Sequence, residues 1–314
     1  MKITVLDSDT LGRDLDFSGL DEFGKTTIYP MTPPDIVADR IADSDVLIIN
    51  KIKLCEENLK DAKNLKLICV FATGYDNIDT EYCRKNGIAV CNVVGYSTNS
   101  VAQLTVSMAL SLYTRLNEYT EYVNTGKYSV SGRQNQLEPV YHEISGKTWG
   151  IVGMGNIGRK VSEIATALGC NVIVYSRTHK DGYENVDIDT LCKNADIISV
   201  HTPLTPETEN LINKERIGMM KDGVVYINVA RGKVNDEQAI ADAVHCGKLF
   251  AGIDVYSAEP FAKDHPYAKL LNSKNVCLTP HMAWAAYEAR VRCLDEITEN
   301  INSFNNGGNK NRVV

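Results

Sequence analysis

Short apolar runs alternate with helix-like stretches along the whole chain. Strand candidates are Ile3–Leu6, Val46–Asn50, Leu67–Phe71 and Ile88–Cys91, then Val172–Tyr175, Ile197–Val200, Val224–Asn228, Ala251–Val255 and Val276–Leu278. Each run is almost continuously apolar, without the polar–apolar alternation of a half-exposed strand. That is the pattern of strands covered on both faces, as in parallel sheets. Apolar residues at helical spacing predict helices between them, over Asp35–Ala42, Asn156–Leu168 and Asp236–Cys246. The alternation predicts an α/β architecture of doubly wound parallel sheets. Two longer helical patterns stand apart. Asn99–Tyr122, with Val101, Leu104, Val106, Met108, Leu110 and Leu112, reads as one long helix, and Ala285–Phe304 as a second. The polar tail from Asn305 to Asn311 is expected to fray.

The densest signal is Trp149-Gly150-Ile151-Val152-Gly153-Met154-Gly155-Asn156-Ile157-Gly158. A buried strand leads into a glycine turn, and a helical pattern opens behind it. In that context the three glycines form a dinucleotide-binding fingerprint. Gly153 permits the sharp turn, Gly155 leaves room for a pyrophosphate, and Gly158 lets the helix pack close to the strand. Asn156 and Ile157 open the helix, whose free N–H groups and positive dipole end suit phosphate. Such a strand normally opens its domain, yet here several strand candidates precede it. We therefore expect two Rossmann-like domains: a flavodoxin-like substrate (catalytic) domain over 1–98 plus 285–314, and a dinucleotide-binding domain over 99–284. Two chain crossings between them predict a hinged cleft faced by strand carboxyl ends.

Composition narrows the partners. The chain has 314 residues, 44% hydrophobic and 23% charged, with net charge −7 and no basic block. That argues against nucleic acid or an anionic membrane as partner. No apolar run is long enough to span a bilayer, and the opening Met1–Asp7 reads as a strand without a signal-peptide core. The nine cysteines are scattered and form no CxxC pair, so reduced thiols of a cytoplasmic protein are expected. No His/Cys/Asp cluster has ligand spacing, so no metal is assigned.

Three polar residues lie just past successive late strands: Arg231 after Tyr226–Ala230, Glu259 after Gly252–Val255, and His281 after Leu278-Thr279-Pro280. A hydride carrier needs a group to move the proton, a cation to hold a carboxylate, and an orienter for the acid/base. Histidine, arginine and glutamate are the right types. The motifs Gly153–Gly158, Asn228-Val229-Ala230-Arg231-Gly232, Asp254-Val255 with Glu259-Pro260, and Pro280-His281 resemble the D-isomer-specific 2-hydroxyacid dehydrogenases. Phe71–Asp79 and His201–Thr208 are similar to the same family, and Thr279–Ala285 is most similar to its hydroxypyruvate-reducing (glycerate dehydrogenase) members.

The resemblance implies reduction of a small 2-keto acid, hydroxypyruvate or glyoxylate first, to D-glycerate or glycolate. Arg231, with backbone N–H groups at Thr73 and Gly74, would hold the substrate. His281 would give its proton to the keto oxygen, and Glu259 would orient His281 and favour its charged form. Asp254 and the Val229-Ala230 backbone would hold the nicotinamide carboxamide. Thr73, Thr105, His201, Thr202, Pro203 and Trp284 would line the cofactor site, and a homodimer is implied. Asn99–Tyr122 is a candidate dimer contact, although burial within its own chain explains its apolar face equally well. Asp76 and Asp79 look like an acid pair, but a turn and a helix N-cap explain them.

One position departs from the family pattern. An NAD site usually carries an acid about 20 residues past the fingerprint. Here the strand Val172–Tyr175 runs into Ser176, Arg177 and Thr178, with no acid in that place. Arg177 can form a forked pair with a 2′-phosphate, so NADP(H) is favoured with NAD(H) possible. Two other readings stay open. Bulkier branched or aromatic 2-keto acids would be decided near Lys51, Tyr75 and Tyr96. An NAD(H)-sensing corepressor-like binding protein would need a partner groove or an added tail. For the cofactor, Arg177→Ala is expected to raise KM for NADPH about tenfold or more and leave KM for NADH unchanged. Steady-state kinetics with both cofactors check it; an unchanged preference rejects a phosphate role for Arg177.

Overall fold

The computed structural model describes residues Met1–Val314. The chain divides into two compact units, Met1–Ser97 with Ala285–Val314, and Thr98–Trp284. The first unit is a five-stranded parallel sheet of β1 (Lys2–Val5), β2 (Lys25–Ile28), β3 (Val46–Ile49), β4 (Leu67–Val70) and β5 (Ala89–Cys91), in the order β2-β1-β3-β4-β5. That is the flavodoxin-like order. β3 and β4 are buried at every position, as their unbroken apolar runs require. β2, Lys-Thr-Thr-Ile at the sheet edge, has no buried residue and carries no such run, so its sequence pattern is silent.

The closing helix Tyr287–Asn305 buries Ala289, Cys293, Ile297 and Ile301, one face at four-residue spacing. Beyond it the tail is ordered, contrary to expectation. After the turn at Gly307, Cys91 bridges Arg312 in antiparallel sense, and Val313 N–H donates to Val90 O at 2.8 Å. Asn311 Nδ2 donates to Asn300 Oδ1 at 2.9 Å. The exposed backbone edge of β5 is thereby paired, which the polar composition of the tail does not reveal.

In the second unit β6 (Thr148–Val152), β7 (Asn171–Tyr175), β8 (Glu184–Asn185), β9 (Ile197–Val200), β10 (Val224–Asn228), β11 (Leu249–Ile253) and β12 (Val276–Leu278) form one parallel sheet. Its order is β12-β11-β10-β9-β6-β7-β8. Counted from β6 this is the Rossmann order with one strand added, and the strand order reverses between β6 and β9, the topological switch point. Apolar clusters cover both faces of the sheet. The helix Asn156–Ala167 packs on one of them through Val161 and Ala165.

The predicted long helix is two helices, Thr98–Tyr113 and Leu116–Asn124. Arg115 between them has φ +56°, which no continuing helix allows. Its guanidinium lies over the Phe250 ring, 4.6 Å from the centroid, and pairs with Glu118. Val101, Ala102, Met108, Ala109 and Leu112 are buried in the unit's own core, whereas Leu116–Asn124 buries nothing. All nine cysteines are free thiols, and no helix is long and apolar enough to cross a membrane.

Candidate functional site

The site is built at the carboxyl ends of the second sheet. Gly153 follows β6 with φ +97°, a conformation that side chains disfavour. A Cβ there would lie 2.8 Å from the backbone of His201 and Thr202, so the loops after β6 and β9 meet at the switch point. A Cβ at Gly158 would sit 2.1 Å from Gly153 O, which explains its close packing. At Gly155 a Cβ would meet nothing within 4 Å, so open space lies beside the start of the helix Asn156–Ala167. Gly155 is that helix's N-cap and has no side chain to satisfy its first N–H groups. Space and free donors together fit a dinucleotide pyrophosphate.

A second polar group stands nearby. Trp149 Nε1 donates to Ser199 Oγ at 2.9 Å, and Ser199 Oγ lies 2.9 Å from His201 Nε2. The Ser199 hydroxyl, which already accepts from the indole, can give its proton to Nε2 or accept one from it. His201 keeps some exposure, but Nδ1 is buried and has no partner. Burial holds His201 neutral, with its pKa pushed down to about 3. A buried ring nitrogen without a partner costs about 1–3 kcal/mol, which a ligand group bonded to it would recover.

The three late loops follow. Asn228, buried at the end of β10, accepts from Ala230 N at 2.9 Å and donates to Arg231 O at 3.0 Å. It thereby shapes the turn that presents the half-buried Arg231. A Cβ on Gly232 would fall 2.1 Å from Tyr256 C, so the Arg231 loop lies directly against the loop after β11. In that second loop Glu259 Oε1 accepts from Tyr256 N at 3.0 Å. Glu259 Oε2 lies 2.6 Å from His281 Nδ1, joining it to the loop after β12.

His281 has φ +53°, a region where histidine is tolerated but uncommon. Its N–H donates to Asp254 O at 2.8 Å. The Asp254 carboxylate, fully buried, accepts from Thr279 Oγ1 at 2.5 Å, Met282 N at 2.9 Å and Ala283 N at 2.9 Å. Burial raises its pKa, against those three bonds and the charge of His281. Trp284 Nε1 closes the loop by donating to His281 O at 2.9 Å. A carboxylate-anchored imidazole beside a guanidinium-bearing loop can bind an anion and move a proton.

The other predicted residues fall as follows. Thr105 is fully buried with its hydroxyl donated to Val101 O, while Thr202 is partly exposed and Pro203 exposed. Val229 is buried and Ala230 half-buried in the Asn228 turn. Ser176 Oγ donates to Thr178 O at 2.9 Å, and Arg177 is exposed. Its charge reaches Glu207, whose carboxyl is held low first by its hydrogen bond to Thr205 and less by Arg177. In the first unit Thr73 Oγ1 donates to Val93 O at 2.7 Å, tying the loop after β4, with Gly74, to the one after β5. Asp79 caps the helix Thr80–Lys85 by accepting from Tyr82 N, as its spacing predicts. Sequence reasoning missed Asn228 as a turn clamp and Asp254 as a loop anchor. The available signal was a lone polar residue closing an apolar run.

Residues 106–283 match the family described as "D-isomer specific 2-hydroxyacid dehydrogenase, NAD binding domain". The chain is 36% identical to the hydroxypyruvate reductase of Blautia hydrogenotrophica, over 100% of this chain and 99% of that one. It is 33% identical to the glycerate dehydrogenase of Methylorubrum extorquens, over 99% and 98%. Among solved structures, an acyclic imino acid reductase in complex with NADPH and D-Arg superposes with TM-score 0.88 at 30% identity, covering 100% of both chains.

The His201 environment generates a pH prediction. The imidazole titrates near 6.5 in the unfolded chain and about 3 in the folded one, so between those values the unfolded chain binds more protons. Stability from this group is complete above that window and is lost as pH falls through it, by about 1 kcal/mol per pH unit. Urea unfolding near about pH 7.5 and about pH 5 checks this. His201→Asn is expected to flatten the slope, and an identical slope contradicts the burial.

Proposed function

Because this chain belongs to the D-isomer specific 2-hydroxyacid dehydrogenase family, we propose that it transfers a hydride between a nicotinamide dinucleotide and a small 2-keto acid. Hydroxypyruvate and glyoxylate are the first substrates to expect, giving D-glycerate and glycolate. Support comes from full-length similarity to a hydroxypyruvate reductase and a glycerate dehydrogenase. The observation that carries the reading is the 2.6 Å bond between His281 Nδ1 and Glu259 Oε2 beside the Arg231 loop.

When bound, the reduced nicotinamide supplies the hydride to the keto carbon. Gly153, Gly155 and Gly158, with Asn156 and Ile157 at the helix start, receive the pyrophosphate. His201, Thr202 and Pro203 flank it, with the unpartnered Nδ1 of His201 open to a hydrogen bond from or to the ligand. Asp254, fully buried and already accepting three donors, serves the carboxamide end by fixing the loop Thr279–Ala283. Val229, Ala230, Thr105 and Trp284 complete that end.

Arg231 pairs with the substrate carboxylate and keto oxygen. Glu259 accepts a hydrogen bond from His281 Nδ1–H, which orients the imidazolium and leaves its Nε2–H to give a proton to the keto oxygen. Arg231 and His281 then stabilise the charge that grows on that oxygen.

At the ribose end, Ser176, Arg177 and Thr178 with no acid among them favour NADP(H) over NAD(H). Nine free cysteines accord with a reducing compartment, the cytoplasm. Leu116, Val123, Val130, Leu137, Val140 and Tyr141 are exposed within a short stretch, which supports a homodimer formed there and not on the buried helix Thr98–Tyr113.

His281→Gln tests the reading. Hydroxypyruvate-dependent oxidation of NADPH or NADH is expected to fall about a hundredfold to ten-thousandfold while cofactor binding persists. Undiminished turnover in that variant contradicts the proposal.

A further inference from the structure

A second carboxylate, outside the three strand-end residues, ties down the loop that carries Glu259. Glu237 opens the helix Glu237–His245, and its side chain is only 10% exposed. Its Oε1 accepts from Ser257 N at 2.9 Å, and its Oε2 accepts from Ser257 Oγ at 2.5 Å. The same Oε2 lies 3.0 Å from His265 Nε2. Tyr267 N–H donates to His265 Nδ1 at 3.2 Å, so that nitrogen is an acceptor and the ring's proton sits on Nε2, toward Glu237. One carboxylate therefore grips both ends of the segment from Ser257 to His265, with Glu259 inside it. The rings of Tyr256, Phe261, His265 and Tyr267 pack together beneath, with centroids 4.8–6.1 Å apart.

Ser257 is also where the Arg231 loop touches, since a Cβ on Gly232 would approach Ser257 N to 2.3 Å. Fixing Ser257 thus sets two things together: the reach of Glu259 toward His281 and the seat of the Arg231 turn. An ordinary surface acid would not accept three donors from two ends of one loop. We propose that Glu237, acting through Ser257 and His265, is a positioning residue for proton and hydride transfer. It sets the Glu259–His281 bond without touching substrate, an inference that rests on the function proposed above.

The test is a kinetic cycle on the full chain with hydroxypyruvate and NADPH. Glu237→Gln leaves the shape but turns an amide N–H toward donors. It is expected to lower kcat about 10–100-fold with cofactor affinity unchanged. Ser257→Ala, on the exposed side of the loop, is expected to lower kcat about 3–10-fold, and Ser257→Thr, which keeps the hydroxyl, to restore it. In a Glu259→Gln background the Ser257→Ala effect should nearly vanish, because the positioned group is gone. If Glu237→Gln does not fold, the Ser257 pair carries the test alone. Wild-type kcat in Ser257→Ala, or an effect that multiplies fully with that of Glu259→Gln, overturns the proposal. His281→Gln run beside them separates the failures. An active His281→Gln removes the functional reading, whereas an inactive one with an unaffected Ser257→Ala removes only the positioning role.

Discussion

One buried carboxylate organises the chemistry of the second unit. Asp254 directly follows the strand β11 and is fully buried, so its charge would be costly unless met by donors. Three donors meet it, and all come from one stretch, Thr279–Ala283. The chain between them must bend sharply to deliver them. The residue at the bend is His281, with its backbone in the left-handed region and its N–H on Asp254 O. An uncommon backbone conformation of this kind costs about 1–3 kcal/mol and persists only where surrounding bonds over-determine it. Here the anchoring of the acid sets the direction of the imidazole, and Glu259 receives it at 2.6 Å.

The same logic recurs along the sheet's carboxyl edge. At three strand ends a polar residue shapes the local loop: Ser199, one residue before the end of β9, bonds His201; Asn228 ends β10; Asp254 follows β11. The loops also touch one another where glycine removes the side chain, at Gly153 against His201–Thr202 and at Gly232 against Tyr256–Ser257. Rigid strands, loop-shaping polar residues and glycine contacts together preorganise donors at the rim. That arrangement suits a reaction whose cost lies in stabilising charge at one oxygen.

Much of this was legible in the sequence because it depends on local requirements. Gly153, Gly155 and Gly158 answer to backbone geometry within six residues, and the apolar runs of β3, β4, β9 and β10 answer to burial on both faces. Arg231, Glu259 and His281 stood out as charged residues just past such runs. What escaped depends on distant partners or on edges. β2 and the two-residue β8 lack apolar runs. Arg115 breaks a stretch whose helical periodicity continues unbroken. The tail docks because β5 has an open backbone edge, not because its own residues are apolar. Glu237 finds Ser257 and His265 across 20 and 28 residues, a pairing that no spacing rule predicts.

The most direct test of the loop-anchoring account is a crystallographic measurement of the His281 Nδ1–Glu259 Oε2 separation in Asp254→Ala. With the three donors released, His281 should leave its left-handed conformation and the separation should open beyond about 3.5 Å. A separation still at 2.6 Å, with φ at residue 281 still positive, would show that the imidazole is aimed by something other than Asp254.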